Sequence, residues 1–515
     1  MGKFTLANLK KTIYYLQRNG LKNTIHAAAE RLGDTEKYRA EIFSEEDRQR
    51  LCSQVREELD RWQAMKKEAP TFSILVPAYH TNPLFLRELL QSVSEQAYPL
   101  WEILIMDASG DDSVLSVLQE YCRTENLSLD MVDGGSEDVF MQQSVRYIRL
   151  AENAGISENT NAGIDYMRGE YIALLDHDDV LTPNALSEMA SEIMQGDRPT
   201  CVYSDEDKWD GAQEYYELNR KEDFNLDLLL SNNYICHLLV MKSDIFLQLR
   251  LRKEYDGAQD YDLVLRAAGL FMKQNQDPEQ EFRHVSKVLY HWRCHSASTA
   301  ENPNSKNYAY EAGRRALQDF ADAQGWRAIA QDLKHVGFYR LNYLVCNDGC
   351  KEKQAKNSDG AQNHRSMNGN CNPAAILANR SDLGAIGGKL IGHINKGSGC
   401  VLIGGRMALN GEVFYEGIKE GYSGYLHRAV LTQDAEAVDL RCIFVSPECR
   451  ELFERIVGCA YVTFPSEDPH GREGMFDVSS LPAGADIRAL SLRFGAALRS
   501  SGKRILWDPE LIVRV

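Results

Sequence analysis

Short apolar runs alternate with amphipathic stretches between residues 71 and about 300, and this alternation is the clearest pattern in the chain. The intervening stretches, such as LFLRELLQSVSEQ at 84–96, have apolar residues at helical spacing. Repeated strand–helix units of this size predict an α/β fold with a mostly parallel sheet and flanking helices. The apolar runs are SILV at 73–76, ILIM at 103–106, VRYI at 145–148 and YIALL at 171–175.

Residues 1–70 have a different pattern and are predicted to form an N-terminal helical segment. One predicted helix carries Leu6, Leu9, Ile13 and Leu16 at helical spacing, and a second runs from about 44 to 67. Basic residues flank the first helix, so it either lies on an anionic membrane surface or packs on protein. The sequence leaves both possibilities open.

The stretch 171–184, YIALLDHDDVLTPN, contains the most concentrated candidate chemistry. Asp176, Asp178 and Asp179 directly follow the apolar run, which places them at the carboxyl end of a predicted strand. Thr182 and Pro183 have the pattern of an N-cap followed by the first residue of a helix. Open α/β sheets bind ligands at this edge. Closely spaced carboxylates resist ionisation unless a cation such as Mg²⁺ or Mn²⁺ shares the site. A solvated acidic turn that caps a helix is the alternative.

Other polar residues are predicted at the same edge. Pro77–Tyr79 and Asp107 end two earlier strands, and a later strand end carries Asp205, Glu206 and Asp207. Asp260 lies at a helix entrance, where a structural cap is the simpler interpretation. The chain has no GxGxxG after its first strand and no GxxxxGK[ST], so a nucleotide held by carboxylates and a metal fits better than one cradled by glycines.

Composition narrows the class of protein. At 515 residues the chain exceeds one ordinary domain, and its net charge of −17 argues against nucleic acid as a partner. Twelve cysteines without a CxxC pair favour reduced thiols over a zinc site. No apolar run approaches the ~20 residues of a membrane span, and the first residues lack a signal-peptide core. These features predict a cytoplasmic protein, soluble or peripheral at the inner face of the cell membrane.

Six motifs together resemble the inverting glycosyltransferases of family 2, which have the Rossmann-like GT-A fold. In order they are SILVPAY, the strand ending at Asp107, NAGISENTNAGI, YIALLDHDD, GAQDYDLVLR and YHWRCHSAST. Their order and spacing are most similar to bacterial enzymes of O-antigen and rhamnan-type polysaccharide synthesis. The resemblance covers about residues 71–300.

This resemblance implies a role for each matching residue. Asp260 matches the catalytic base that deprotonates the acceptor hydroxyl, and Asp178 matches the ligand of a divalent metal, Mn²⁺ or Mg²⁺. His291 matches a position that reaches the metal or diphosphate in some relatives; a strand-end histidine without a ligand is the alternative. Gln259 departs from the glutamate that many relatives carry beside the base. The nucleotide-binding positions implied are Pro77, Ala78, Tyr79, Asp107 and Asp176.

The second half resembles the carboxyl half of another such domain. When LSLRFGA (490–496) is aligned with LVLRAAG (263–269), Ile487 falls at the position of Asp260, and no DxDD follows residue 300. We therefore expect a smaller, degenerate α/β or α+β GT-A-like module that binds glycan or a partner, or serves only as a scaffold. The predicted domains are 1–70, helical; 71–330, catalytic; 331–375, a strand plus polar linker; and 376–515, the degenerate module.

Three functions are compatible with these features. The leading hypothesis is a metal-dependent inverting glycosyltransferase that moves a sugar from a UDP-, dTDP- or GDP-linked donor to a glycan or lipid-linked glycan acceptor of the cell surface. A catalytically silent glycan- or partner-binding subunit is the alternative, and the retained Asp107, Asp176, Asp178 and Asp260 argue against it. A nucleotidyltransferase would normally carry a glycine-rich basic loop after its first strand, which PAYHTNPLF is not.

Overall fold

The computed structural model divides the chain into two compact units. The first is built mainly from Thr35–Asn225 and Asn233–Phe320, and the second mainly from Leu226–Asn232 and Ala321–Val515. The predicted helix around Leu6, Leu9 and Ile13 and the polar linker at 346–371 lie outside the residues that the structure describes. Those described are 16–17, 20–21, 24–25, 28, 38–132, 140–212, 214–294, 307–345, 372–393, 399–468 and 472–515.

Ten strands of the first unit form one sheet in the order β3-β4-β2-β1-β5-β9-β7-β10-β6, with β8 added to β7. Strands β1 to β5 pair in parallel, and β9 runs antiparallel between β5 and β7. The predicted α/β class with a largely parallel sheet is thus confirmed. The strands are β1 Phe72–Ala78, β2 Trp101–Asp107, β3 Ser128–Met131, β4 Ser144–Arg149, β5 Tyr171–Leu174, β6 Val180–Leu181, β7 Cys201–Trp209, β8 Tyr215–Asn219, β9 Leu239–Lys242 and β10 Phe282–Arg293.

Helices pack their apolar stripes against this sheet. The helix Pro83–Ser94 begins with Asn82 as a side-chain cap and proline in its first turn, and it buries Leu86, Leu89, Leu90 and Val93 at helical spacing. The predicted second helix is observed with Ser44 as its N-cap. The α-helices are Glu45–Ala64, Pro83–Ser94, Ser113–Glu125, Ile156–Asn161, Ala185–Gln195, Ser243–Leu249, Gln259–Lys273, Pro278–Glu281 and Asn307–Ala323, whose last residues pass into the second unit.

Two local predictions were wrong, both because tertiary pairing overrode the local pattern. Thr182 and Pro183 do not start the helix, which begins at Ala185, since the preceding β6 pairs with β10 and Thr182 donates its N–H to the Leu289 carbonyl. Asp205, Glu206 and Asp207 do not follow a strand end. They lie inside the continuous strand β7, buried among side-chain partners.

The second unit is also α/β. A five-stranded sheet has the order β14-β13-β19-β16 with β18 beside β13, and β13 and β19 pair in parallel. The strands are β11 Ala328–Asp332, β12 Tyr339–Tyr343, β13 Leu383–Gly392, β14 Val401–Gly404, β15 Arg406–Met407, β16 Gln433–Asp434, β17 Ala437–Val438, β18 Ile443–Val445 and β19 Arg504–Arg514. The α-helices are Leu226–Leu229, Pro373–Asn379, Arg450–Val457 and Ile487–Ser500.

Three aspartates and two arginines of the second unit form what we call the acid–arginine cluster: Asp227, Asp382, Asp434, Arg380 and Arg504. Arg380 is fully buried and binds Asp227 at 2.8 Å and Asp382 at 2.7 Å. Arg504 binds Asp227 at 3.0 Å and Asp382 at 3.0 Å, and it also contacts Asp434. These arginines lower the pKa of Asp227 despite its burial. The charges therefore largely balance within the unit.

Across the described ranges, no helix is both long and apolar enough to cross a membrane.

Candidate active site

Parallel pairing brings the ends of three strands to one edge of the first unit. In register, Leu75 of β1 faces Leu174 of β5, and Ala78 at the end of β1 faces Asp107 at the end of β2. Asp176 comes two residues after β5. The polar residues that follow these strands are therefore gathered at the edge where α/β sheets bind ligands.

A cleft at this edge encloses about 490 Å³, part of it open to solvent. Three of the residues predicted to act in function line it together: Pro77, Asp176 and Asp260. Its remaining lining is mostly apolar, with Thr160, Gln259 and His237 as polar additions. The full lining is Leu75, Pro77, Ile156, Thr160, Leu174, Leu175, Asp176, Cys236, His237, Leu239, Leu251, Gln259 and Asp260.

The carboxylates of the acidic turn, residues 176–179, have different surroundings. Asp179 is fully buried, where it accepts hydrogen bonds from the Tyr290 hydroxyl and, at 2.7 Å, from the Arg293 backbone N–H. Burial and the neighbouring Asp178 raise the pKa of Asp179 well above its ordinary value. Asp179 therefore holds the turn against β10, as expected of a loop residue.

Asp176 faces the cleft from the same turn. Protein atoms surround the carboxylate densely, yet 42 % of its side-chain surface remains accessible. This surrounding protein raises the pKa of Asp176, and the nearby charges of Asp178 and Asp260 act in the same direction, whereas His237 opposes them. A cation bound beside Asp176 would stabilise its ionised carboxylate.

Asp260 lies in the first turn of the helix Gln259–Lys273. Its Oδ2 accepts a hydrogen bond from Asn233 Nδ2 at 2.9 Å. The Cys236 thiol also hydrogen-bonds this carboxylate, and burial together with Asp260 raises the pKa of the thiol well above its ordinary value, so it stays a donor. Among the described residues, no arginine or lysine forms an ion pair with Asp260. Neutral donors therefore orient a carboxylate that faces the cleft.

His237 is a cleft residue that sequence reasoning missed. Its backbone N–H and its Nδ1 both lie within hydrogen-bonding distance of Glu206 Oε2, at 2.7 Å and 3.1 Å. The ring stacks on Tyr290 with centroids 4.9 Å apart. Burial alone would lower the pKa of His237, but Glu206 and Asp176 outweigh it and raise the pKa to about 9. The imidazole is therefore protonated at neutral pH.

Glu206 is in turn held ionised. Burial would raise its pKa, but Lys221, 3.9 Å away, and His237 outweigh burial and lower the pKa of Glu206 to about 2. Lys221 also donates to the Ile235 carbonyl at 2.8 Å and to the His237 carbonyl. Lys221 and Glu206 thus fix the backbone carbonyls of Ile235 and His237 and the side chain of His237.

The other predicted residues lie outside the cleft lining. Asp107 is buried and accepts hydrogen bonds from Tyr147 at 2.8 Å and from Ser109 N–H at 2.9 Å. Tyr79, beyond the end of β1, is 47 % exposed and packs on His80. Ala78 is buried, and Asp178 is partly exposed in the acidic turn.

His291 lies in β10 opposite Val180 of β6. Its Nδ1 is 2.6 Å from Asp207 Oδ1, and the other oxygen of Asp207 accepts a hydrogen bond from the Tyr38 hydroxyl at 2.7 Å. One ring nitrogen of His291 is therefore engaged within the fold, and Nε2 is the atom left for any ligand.

The donor set fits a metal that is shared with its substrate. No group of three or more histidine, cysteine, aspartate or glutamate side chains is arranged to hold a metal ion by itself within the described ranges. Asp176, which lines the cleft, and the partly exposed Asp178 lie two residues apart in one turn. Mg²⁺ and Mn²⁺ are commonly held by one or two carboxylates, water and substrate phosphates. These two carboxylates suit that kind of site.

The residues that sequence reasoning missed, Asn233, Cys236 and His237, come from one segment, NYICH. It follows no predicted strand end and contains no acidic residue, so the search for strand-end carboxylates passed over it. The sequence offered one signal: three polar or ionisable side chains directly before an apolar run, LLVM at 238–241.

Residues 73–250 match the sequence model of Glycosyl transferase family 2. The match contains the strands β1 to β5, the acidic turn and His237, and ends before Asp260. This part of the chain is therefore similar to the glycosyltransferases of that family.

Two curated relatives extend this finding. The chain is 35 % identical over 293 residues to the uncharacterized protein y4gI of Sinorhizobium fredii, covering 56 % of this chain and 29 % of the relative. It is 30 % identical over 278 residues to the O-antigen biosynthesis protein RfbC of Myxococcus xanthus, covering 54 % and 20 %. The chain thus spans less than a third of the length of either relative.

Among solved structures, one similar chain is S. aureus TarS 1-349 in complex with UDP. The alignment covers 48 % of this chain and 65 % of that chain, with 17 % identity and a TM-score of 0.35.

Proposed function

We propose that this protein is a metal-dependent inverting glycosyltransferase that moves a sugar from a nucleotide sugar to a hydroxyl of a growing cell-surface polysaccharide or glycolipid. The observation that carries the proposal is the pair of carboxylates, Asp176 and Asp260, that face one cleft at the ligand-binding edge of a family 2 domain. The O-antigen biosynthesis relative supports the polysaccharide context.

Asp260 serves as the base in this proposal. A sugar hydroxyl is a poor nucleophile, and a positioned carboxylate that accepts its proton accelerates such a reaction by about 10²–10⁴-fold. Asn233 holds Asp260 Oδ2 at 2.9 Å, which fixes the plane of the carboxylate while its other face points to the cleft. Attack from that side, opposite the leaving nucleotide, inverts the anomeric carbon.

The nucleotide lies along the carboxyl ends of β1, β2 and β5. Pro77, Ala78, Tyr79 and Asp107 hold the base, and Asp176 lies near the ribose and diphosphate. Asp178 and Asp176 would hold a divalent metal together with the donor phosphates. When bound, such a metal would supply positive charge against the leaving diphosphate.

The second unit has a non-catalytic role in this proposal. Its helix Ile487–Ser500 begins with Asp486, whose side chain accepts a hydrogen bond from the Ala489 N–H at 3.0 Å and so caps its own helix. The position aligned with Asp260 is Ile487, which cannot accept a proton. Binding of acceptor glycan is proposed for this unit, and glycan found only on the first unit in a structure with acceptor oligosaccharide would refute it.

The deciding experiment measures nucleotide release from a panel of UDP-, dTDP- and GDP-sugars with Mn²⁺ or Mg²⁺. We expect metal-dependent release from one donor, lost with a chelator and in Asp178→Ala. Asp165→Ala, which removes an exposed carboxylate of the same unit, is the matched control and should retain release. Donors that hydrolyse slowly without acceptor are followed by calorimetric binding. If no donor binds with metal present, the proposal fails and a silent glycan- or partner-binding subunit replaces it.

A further inference from the structure

The charges of the side chains that line the cleft limit which ligands it can bind. Two of its lining residues, Asp176 and Asp260, carry carboxylates, and most of the others are apolar. Among the described residues that line the cleft, His237 is the one with a basic side chain. An anionic ligand placed against this surface would be repelled by the carboxylates unless cations contact it.

The geometry of His237 leaves one donor directed at the cleft. Glu206 engages Nδ1, and stacking on Tyr290 fixes the ring plane. The remaining nitrogen, Nε2, lies 3.9 Å from Asp176 Oδ2, which is too long for a hydrogen bond. With 25 % of its side chain exposed, His237 can present the Nε2–H to a bound molecule.

Glu206 has other partners besides the imidazole of His237. Lys221 already pairs with Glu206 at 3.9 Å, and the His237 backbone N–H donates to the same carboxylate. Nε2 is therefore the ring nitrogen that remains at the cleft, where a phosphate oxygen can contact it. Hydrogen bonds between an imidazole and a phosphate are charge-assisted and stronger than neutral ones.

We infer that His237 binds the diphosphate of the nucleotide-sugar donor through Nε2, the ring nitrogen left at the cleft. This inference rests on the proposed function, because it takes the donor to be the molecule that enters the cleft. The reacting diphosphate gains negative charge as the sugar leaves, so the same contact strengthens as the bond breaks.

His284 provides a matched control in the same unit. Its imidazole also lies between carboxylates, 2.9 Å from Asp205 and 3.3 Å from Asp223, and it also stacks on a tyrosine, Tyr203. It does not line the cleft, and its side chain is 3 % exposed. The two histidines share their electrostatic setting and differ in access to the proposed ligand.

The test is calorimetric titration of the full chain with UDP, dTDP and GDP and with the matching nucleosides, in the presence of Mn²⁺. We expect His237→Gln to lower affinity for the bound diphosphate by about 10- to 100-fold, as the loss of one charge-assisted hydrogen bond predicts. Affinity for the nucleoside should change less than about twofold in His237→Gln, as should affinity for both ligands in His284→Gln.

Each result has a defined meaning. An unchanged diphosphate affinity in His237→Gln, or an equal loss for nucleoside and diphosphate, overturns the inference while leaving the proposed function in place. If the wild type binds none of the diphosphates, both fail.

If His237→Gln does not fold, ¹⁵N-histidine NMR of the wild type replaces it. The Nε2–H signal of His237 should shift on addition of the diphosphate and stay in place with the nucleoside. A signal that ignores the diphosphate overturns the inference.

Discussion

Carboxylates are gathered in both units, with different partners. In the second unit, the buried Asp227 and the partly buried Asp382 each bind two arginines. In the cleft of the first unit, Asp176 has a histidine 3.9 Å away, and Asp260 has an amide and a thiol. Across the described residues, neither of these two carboxylates forms an ion pair with arginine or lysine.

The difference separates structural from functional acids. The negative charge of a buried carboxylate that pairs with arginines is already neutralised within the protein, so it needs no ligand. Carboxylates that face a cleft and lack such partners remain available for a proton, a metal or a substrate. Position along the chain does not make this distinction: Asp260 and Asp262 are two residues apart in one helix, and Asp262 is buried between Arg252 and Arg266.

The largest expected effect comes from substituting these two aspartates one at a time. Asp260→Asn should lower the rate of sugar transfer by about 10²–10⁴-fold, because the proposed base is lost, with little change in stability. Asp262→Asn should lower the free energy of unfolding by about 1–3 kcal/mol, because two arginines lose a charged acceptor, with a near-normal rate per folded molecule. Rate assays paired with urea unfolding measure both. The comparison breaks if Asp262→Asn loses as much activity as Asp260→Asn.

The next effect concerns Arg380, which is buried in the acid–arginine cluster and lies over the Trp326 ring. Arg380→Met should lower the free energy of unfolding by about 3–5 kcal/mol, because Asp227 and Asp382 lose a buried counter-charge. Urea unfolding followed by tryptophan fluorescence measures it.

Arg514→Met is the control for Arg380. Arg514 pairs with Glu420 at 2.5 Å, but its side chain is 59 % exposed. Loss of this surface pair should cost less than about 1 kcal/mol. Equal costs for the two substitutions would show that the arginines do not balance the buried acids.

The smallest expected effect is a pH dependence of the cluster. Three aspartates face two arginines, and burial together with Asp227 raises the pKa of Asp434 to about 7. Between its ordinary value near 4 and about 7, the folded state holds a proton that the unfolded state has released, so stability falls as pH rises. In Asp434→Asn, stability should not fall with rising pH for this reason.

We therefore expect Asp434→Asn to gain stability relative to wild type, on the order of 2 kcal/mol, between pH 5 and pH 8. Urea midpoints at these two pH values measure the change. A stability difference between the two proteins that is the same at pH 5 and pH 8 would contradict the assigned proton.

Several features of the first unit could be predicted from the sequence because they are local. Apolar runs of strand length, alternating with helical spacing, predicted β1, β2, β4, β5 and the parallel sheet. Since carboxyl ends of parallel strands meet at one edge, the sequence also predicted that Pro77, Asp107 and Asp176 would gather there. The short edge strand β3, with few apolar residues, was beyond this pattern, as was the antiparallel direction of β9.

The tertiary structure alone decided which polar side chains face the cleft. Asp179 is hydrogen-bonded by Tyr290, 111 residues away, and does not line the cleft. Glu206 lies within hydrogen-bonding distance of His237, 31 residues away. His237 and Asn233 enter from a segment without acidic residues. Strand period and strand ends are properties of neighbouring residues. The partner of a carboxylate depends instead on contacts between distant residues, and that partner determines whether the carboxylate stabilises the fold or is free to bind a ligand.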